Sequence, residues 1–167
     1  MTKVQFIERI AQEQESLRRF LRGLCYGDGF RADDLAQEAL LKAYLSFERF
    51  EGRSKFSTWL FRIAFNCWYD SRKKVGKESE WLSLEDRPPG LYPEDAAESE
   101  IDRSHEYQQL HLAIGNLPLQ EQTVILLFYM EEKSIKEIEI ITGMPSGTVR
   151  SHLSRGRRHL KEYLERL

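Results

Sequence analysis

The chain has 167 residues, 41% of them hydrophobic and 31% charged, with a formal net charge of -2. That length allows one domain or two small ones, and the apolar share is enough for compact helical cores. No apolar run approaches the roughly 18 residues of a membrane span, so no membrane insertion is expected, and the mixed N-terminus MTKVQFIERIAQEQESL is not a signal peptide.

Phe6, Ile7, Ile10, Leu17, Phe20, Leu21 and Leu24 recur at helical intervals and predict a first amphipathic helix, ended by Gly27, Asp28 and Gly29. Asp33 or Asp34 is expected to cap a second helix, whose apolar side is Leu35, Ala39, Leu40, Ala43, Tyr44 and Phe47. Gly52, within FEGRSKF, breaks the chain, and Ser57 is expected to cap a third helix, STWLFRIAFNCWYDSRKK. Trp59, Leu60, Ile63, Ala64 and Cys67 give it one apolar side. Phe61, Phe65, Trp68 and Tyr69 fall on the other, interleaved with Arg62, Arg72 and Lys73. Aromatics among cations suit a surface that stacks unpaired bases while following phosphates. A helix sandwiched between two neighbours would instead place Phe61 and Phe65 in the core.

From Lys77 to Arg103 the composition changes. Pro88, Pro89 and Pro93 lie here with Glu78, Glu80, Glu85, Asp86, Glu94, Asp95, Glu98, Glu100 and Asp102, against Lys77, Arg87 and Arg103. Such a stretch is an acidic linker, poorly suited to a packed core. It also explains the net charge, because base is concentrated at 62–74 and 150–161. The expected domains are 1–76 and 104–167, with 77–103 between them as a flexible connector.

Beyond the linker, Ser104 can open a helix carrying Tyr107, Leu110, Ala113 and Ile114, and Pro118 starts the next, LQEQTVILLFYMEE. Ser134 followed by Glu137 is a capping box. Gly143, Pro145 and Gly147 then make a tight turn, and Ser146 is expected to cap a last helix. Val149, Leu153, Gly156, Leu160, Leu164 and Leu167 share one side of it; Arg150, Ser151, Ser154, Arg155 and Arg158 lie roughly opposite, with Arg157 and Lys161 at the flank. That is a helix-turn-helix with an apolar inner and a basic outer face, which fits the major groove of DNA. No stretch alternates with a strand's period, so the expected fold class is all-α: two small helical domains, the second a helix-turn-helix.

Four histidines (His105, His111, His152, His159) and two cysteines share no metal-ligand spacing, so no metal or cofactor is expected. A glycine-rich phosphate loop, an HExxH pair and a nucleophile elbow are all missing, which argues against an enzyme. Cys25 and Cys67 stand alone, as thiols of a reducing, cytoplasmic interior would.

The stretches DDLAQEALLKAYLSFERFEGRSKFSTWLFRIAFNCWYDSRKK and LPLQEQTVILLFYMEEKSIKEIEIITGMPSGTVRSHLSRGRR resemble bacterial sigma factors of the extracytoplasmic-function (group four) type. The resemblance implies core RNA polymerase and promoter DNA as partners. By it, Asp34, Leu35, Gln37 and Glu38, with Leu41 and Tyr44 behind them, dock on the clamp of the beta-prime subunit. Arg53, Ser54 and Lys55 of the Gly52–Phe56 loop, with Arg62, Asn66, Trp68, Tyr69, Arg72 and Lys73 of the third helix, capture and melt the minus-ten element. Thr148, Arg150, Ser151, Ser154, Arg155 and Arg158 read the minus-thirty-five element, and the apolar stretch around Leu126 to Tyr129 meets the beta flap. Such proteins are commonly held inactive by an anti-sigma factor clasping both domains. Against the family pattern, Glu139, Thr142 and His152 are departures, and Gly156 interrupts the last helix. The alternative is a free-standing helix-turn-helix regulator, whose N-terminal half would sense a ligand or dimerise.

Overall fold

The computed structural model describes residues 1–74 and 105–166, and every regular element among them is helical. The acidic connector, the opening by Ser104 and the placement of Leu167 lie outside the described residues.

Helix α1 (Lys3–Leu24) opens on a capping box between Thr2 and Gln5 and buries Phe6, Leu17, Phe20, Leu21 and Leu24. It ends where Tyr26 and Gly27 adopt positive φ, with the Gly27 amide donating to the Arg22 carbonyl at 2.8 Å. Helix α2 (Gly29–Ser46) then begins earlier than expected, because Asp28 takes the cap by accepting from the Arg31 amide at 3.1 Å. Asp33 and Asp34 consequently sit inside the helix, and Asp33 pairs with Arg18 at 2.8 Å. The inner face of α2 is small, with Ala32, Ala36, Ala39 and Ala43 buried, which lets neighbouring helices come close.

A short turn at Phe47–Arg49 leads to helix α3 (Phe56–Lys74), which starts one residue before Ser57. This helix is apolar on two sides. Leu60, Ala64 and Cys67 are buried, as expected; so are Phe61, Phe65, Trp68 and Arg72. The expectation that Trp68 and Arg72 face outward is therefore corrected. Positions 61, 65, 68 and 72 form a second helical stripe, which also needs neighbours. Phe20 of α1 covers Phe61 at 5.4 Å between ring centroids, and Phe65, Trp68 and Arg72 continue the ladder at 5.6 and 5.1 Å. The sandwiched reading holds for Phe61 and Phe65 and extends to Trp68.

The second module contains α4 (His105–Gly115), α5 (Leu119–Ile125), a widened π turn (Leu126–Met130), α6 (Ile135–Thr142) and α7 (Ser146–Glu165). Pro118 is the N-cap of α5. The capping box of α6 forms as read: the Glu137 amide donates to Ser134 Oγ at 3.1 Å and the Ser134 amide to Glu137 Oε1 at 3.3 Å. Gly143 ends α6 at φ 78. Pro145, not Ser146, caps α7, and it offers no side-chain acceptor.

The buried residues of both modules make one continuous core. Leu126 lies where a Cβ on Gly23 would come within 2.8 Å of its Cδ1, and buried Gln122 donates to the Gly23 carbonyl at 3.1 Å. The two modules are packed together, α6 lying on α3.

Candidate nucleic-acid interface

Helix α7 presents the basic face read from the sequence. Val149, His152, Leu153 and Gly156 turn inward, while Arg150, Ser151, Ser154, Arg155 and Arg158 are exposed and Thr148 is half-buried. Arg155 is held along the helix, its guanidinium donating to Ser151 Oγ at 3.0 Å. Polar pairs fasten the inner side: His159 Nδ1 lies 2.7 Å from buried Glu121, and Arg157 donates to the Tyr129 hydroxyl at 3.0 Å. His152 is one of the inward residues, which explains a departure from the family pattern: at 8% exposure it packs and does not reach out. Burial lowers its pKa, Arg155 nearby adds to this, and Glu121 opposes it. Glu139 is exposed and Thr142 turns its hydroxyl onto the Ile138 carbonyl at 2.7 Å.

In the first module Arg62, Asn66, Tyr69 and Lys73 make one outward stripe of α3, with Tyr69 half-buried and Lys73 4.8 Å from the Tyr69 ring centroid. The loop before α3 is supported by rings: Phe50 packs edge-on against Phe56, and Trp59 lies 5.2 Å from Phe50. Gly52 supplies the positive φ of 73 that the turn requires. Arg53 is exposed and pairs with Glu51 at 2.9 Å, while Ser54 donates to the Lys55 carbonyl.

Lys55 and Thr58 meet the other module. Thr58 donates to Glu137 Oε2 at 3.0 Å, and Lys55 Nζ is 3.9 Å from Oε1. Partial burial raises the Glu137 pKa, but the Ser134 amide and the Thr58 hydroxyl outweigh it, so the carboxyl is held below its ordinary range. Lys133 stands 4.5 Å over the Phe61 ring, and Arg19 grips buried Glu131 bidentately at 2.9 and 3.0 Å. Sequence reasoning missed Thr58, Glu131 and Lys133, and read Glu137 only as the capping partner of Ser134. The partners are separated by up to 112 residues in the chain, beyond the reach of periodicity.

On α2, Asp34, Gln37, Glu38, Leu41 and Tyr44 are exposed, but Leu35 is buried, so the order is inverted: Leu35 backs the face, and Leu41 and Tyr44 belong to it. Leu45 lies on the same stripe and is 73% exposed. Leu126 and Leu127 are buried, which corrects their assignment to a contact surface; Tyr129 remains exposed at the rim of an apolar groove of about 570 Å³ lined by Leu110, Ile114, Ile125 and Leu160. Among the described residues no group of three or more metal-binding side chains occurs, and no helix is long and apolar enough to cross a membrane.

Comparison with known proteins bears on both modules. The family model described as Sigma-70 region 2 matches residues 10–78, and that described as Sigma-70, region 4 matches residues 107–160. These define the class as sigma-70 type, including the N-terminal half that a free-standing regulator would use otherwise. The ECF RNA polymerase sigma factor SigW of Bacillus subtilis is 39% identical over 158 residues, covering 86% of this chain and 82% of that protein. The ECF RNA polymerase sigma-E factor of Haemophilus influenzae is 34% identical over 141 residues, covering 80% and 75%. The solved structure of the sigma factor RpoE with the anti-sigma factor NepR from Bartonella quintana superposes with a TM-score of 0.76 at 27% identity, covering 96% of this chain and 97% of that one. The chain belongs to the ECF sigma factors: it binds core RNA polymerase, recognises promoter elements and initiates DNA-templated transcription.

Proposed function

We propose that the two modules divide promoter recognition between duplex and single strand. The exposed face of α7 enters the major groove at the minus-thirty-five element, with Arg155 and Arg150 toward base edges and Ser151, Ser154, Arg158 and Thr148 toward phosphates. The α3 stripe Arg62, Asn66, Tyr69 and Lys73, continued by Arg53, Ser54 and Lys55, takes the unpaired strand of the minus-ten element. Trp68 and Arg72 support that stripe from beneath. Asp34, Gln37, Glu38, Leu41, Tyr44 and Leu45 dock on the beta-prime clamp, and the groove beside Tyr129 takes the beta flap. The two domains are 1–76 and 104–167, with the acidic stretch 77–103 between them. The protein works in the cytoplasm and hydrolyses nothing, since strand opening draws on binding energy; an anti-sigma factor is its expected inhibitor.

The observation that carries this reading is the separation on α7 between a buried apolar stripe and an exposed cationic one. The packed arrangement adds a condition. The Glu137 carboxylate already engages Thr58 and Lys55, so on this reading strand capture by the loop requires that contact to break. The modules part when polymerase and promoter bind. Transcription in vitro with core polymerase over a promoter library tests the division: Arg155→Ala should relax preference at one upstream position by about 1–3 kcal/mol. Unchanged preference would remove Arg155 from the reading face.

A further inference from the structure

Helix α2 carries an aromatic ring that the fold leaves in water: Phe30, in its first turn, is 90% exposed. It cannot swing inward. Asp28 caps the helix just before it, Arg18 holds Asp33, and Arg31 reaches Ser71 Oγ at 3.5 Å, so the turn is fastened on both sides. Ala32 and Leu35 already occupy the inner face.

The ring's direction is informative. At 3.6 residues per turn, Asp34, Gln37, Leu41 and Leu45 all lie within about 60° of Phe30 around the helix axis. Leu41 is 59% exposed and Leu45 73%. Phe30 and Leu45 are about 22 Å apart along the axis, so the stripe is apolar at both ends and polar between. Single exposed hydrophobic residues are ordinary on a protein surface. Three on one stripe, shared with the docking residues, match an interface with apolar anchors set among polar contacts.

We propose that Phe30 is an anchor of the polymerase-docking face, extending it to the N-terminal end of α2 and seating in an apolar recess of core RNA polymerase. This rests on the reading of α2 as the docking helix. The face is continuous with Phe30, core polymerase is the family's partner, and the ring is presented on a fastened turn, so little ordering is required on binding.

The test is competition of the full-length protein against a labelled reference sigma factor for core polymerase, with Phe30→Ser, Phe30→Leu and the double variant Leu41→Ala/Leu45→Ala. Phe30→Ser should weaken core binding roughly tenfold with an unchanged thermal midpoint, and Phe30→Leu should keep most of the affinity. If Phe30→Ser binds like the parent while the leucine variant weakens, the inference fails and the docking reading stands. If neither weakens, the docking reading fails with it. Self-association of the parent that Phe30→Ser abolishes, at unchanged core affinity, would assign the ring to a second copy and overturn the proposal.

Discussion

A Cβ built on Gly156 would stand 2.9 Å from Ile125 Cγ1, 3.2 Å from its Cδ1 and 3.5 Å from Glu121 Cβ. Glycine inside a helix costs about 1 kcal/mol relative to alanine. Here that cost is offset by letting α7 close on α5, where Ile125 is 1% exposed and has little room to yield. Gly156→Ala should therefore destabilise the protein, because overpacking at about 1–3 kcal/mol outweighs the gain in helix propensity. Ile125→Val, which removes the Cδ1 methyl, should recover part of the loss. Thermal denaturation of the single and double variants checks this, and additive effects would show that the two residues do not meet in this way.

At the scale of the element, α7 shows what the amino-acid order reveals and what it conceals. The period of Val149, Leu153 and Gly156 marks the inner stripe, and the arginines opposite follow from the same count. The capping box of α6 is equally legible, since Ser134 and Glu137 are three residues apart and need no distant partner. The period of α3 is harder to use. It separates two sides correctly, but whether the second side meets water or another helix depends on Phe20 and on the other module, both distant in sequence. Trp68 is misplaced for that reason. His152 is a different case: three residues after Val149 and four before Gly156, it falls on the inner stripe by the same count, and only its polar side chain hid it. Its depressed pKa carries a consequence. The folded chain holds the imidazole neutral, whereas the unfolded chain protonates near the ordinary value of 6.5. As pH falls through that value the unfolded state takes up the proton first, so stability declines, and the decline ends below the folded pKa. His152→Gln should flatten the fall in thermal midpoint between about pH 7.5 and pH 5.5. The Glu137 contribution is lost at lower pH, since its ordinary value is 4.5 and its folded value is below that. An identical slope in the variant would mean that other groups govern the acid sensitivity.

For the whole molecule, the issue is how two sigma-70 modules coexist in one packed body. The closed arrangement is held by the apolar core that both modules share and by polar contacts across them: Arg19 on Glu131, Thr58 on Glu137, Gln122 on the Gly23 carbonyl. Burial pushes the Glu131 pKa up while Arg19 pulls it back, so the pairing with Arg19 offsets part of the desolvation cost of keeping that carboxylate inside. Removing Arg19 leaves Glu131 without its bidentate partner and should loosen the closed form. The most direct measurement is the distance between fluorescent labels placed at Gln12→Cys and Glu162→Cys, one in each module; Cys25 and Cys67 are both buried and do not compete for label. The account predicts a single short distance in the free protein, a shift toward longer distances with Arg19→Ala, and a long distance in the initiating complex with core polymerase and promoter. A transcribing complex that retained the short distance would contradict it.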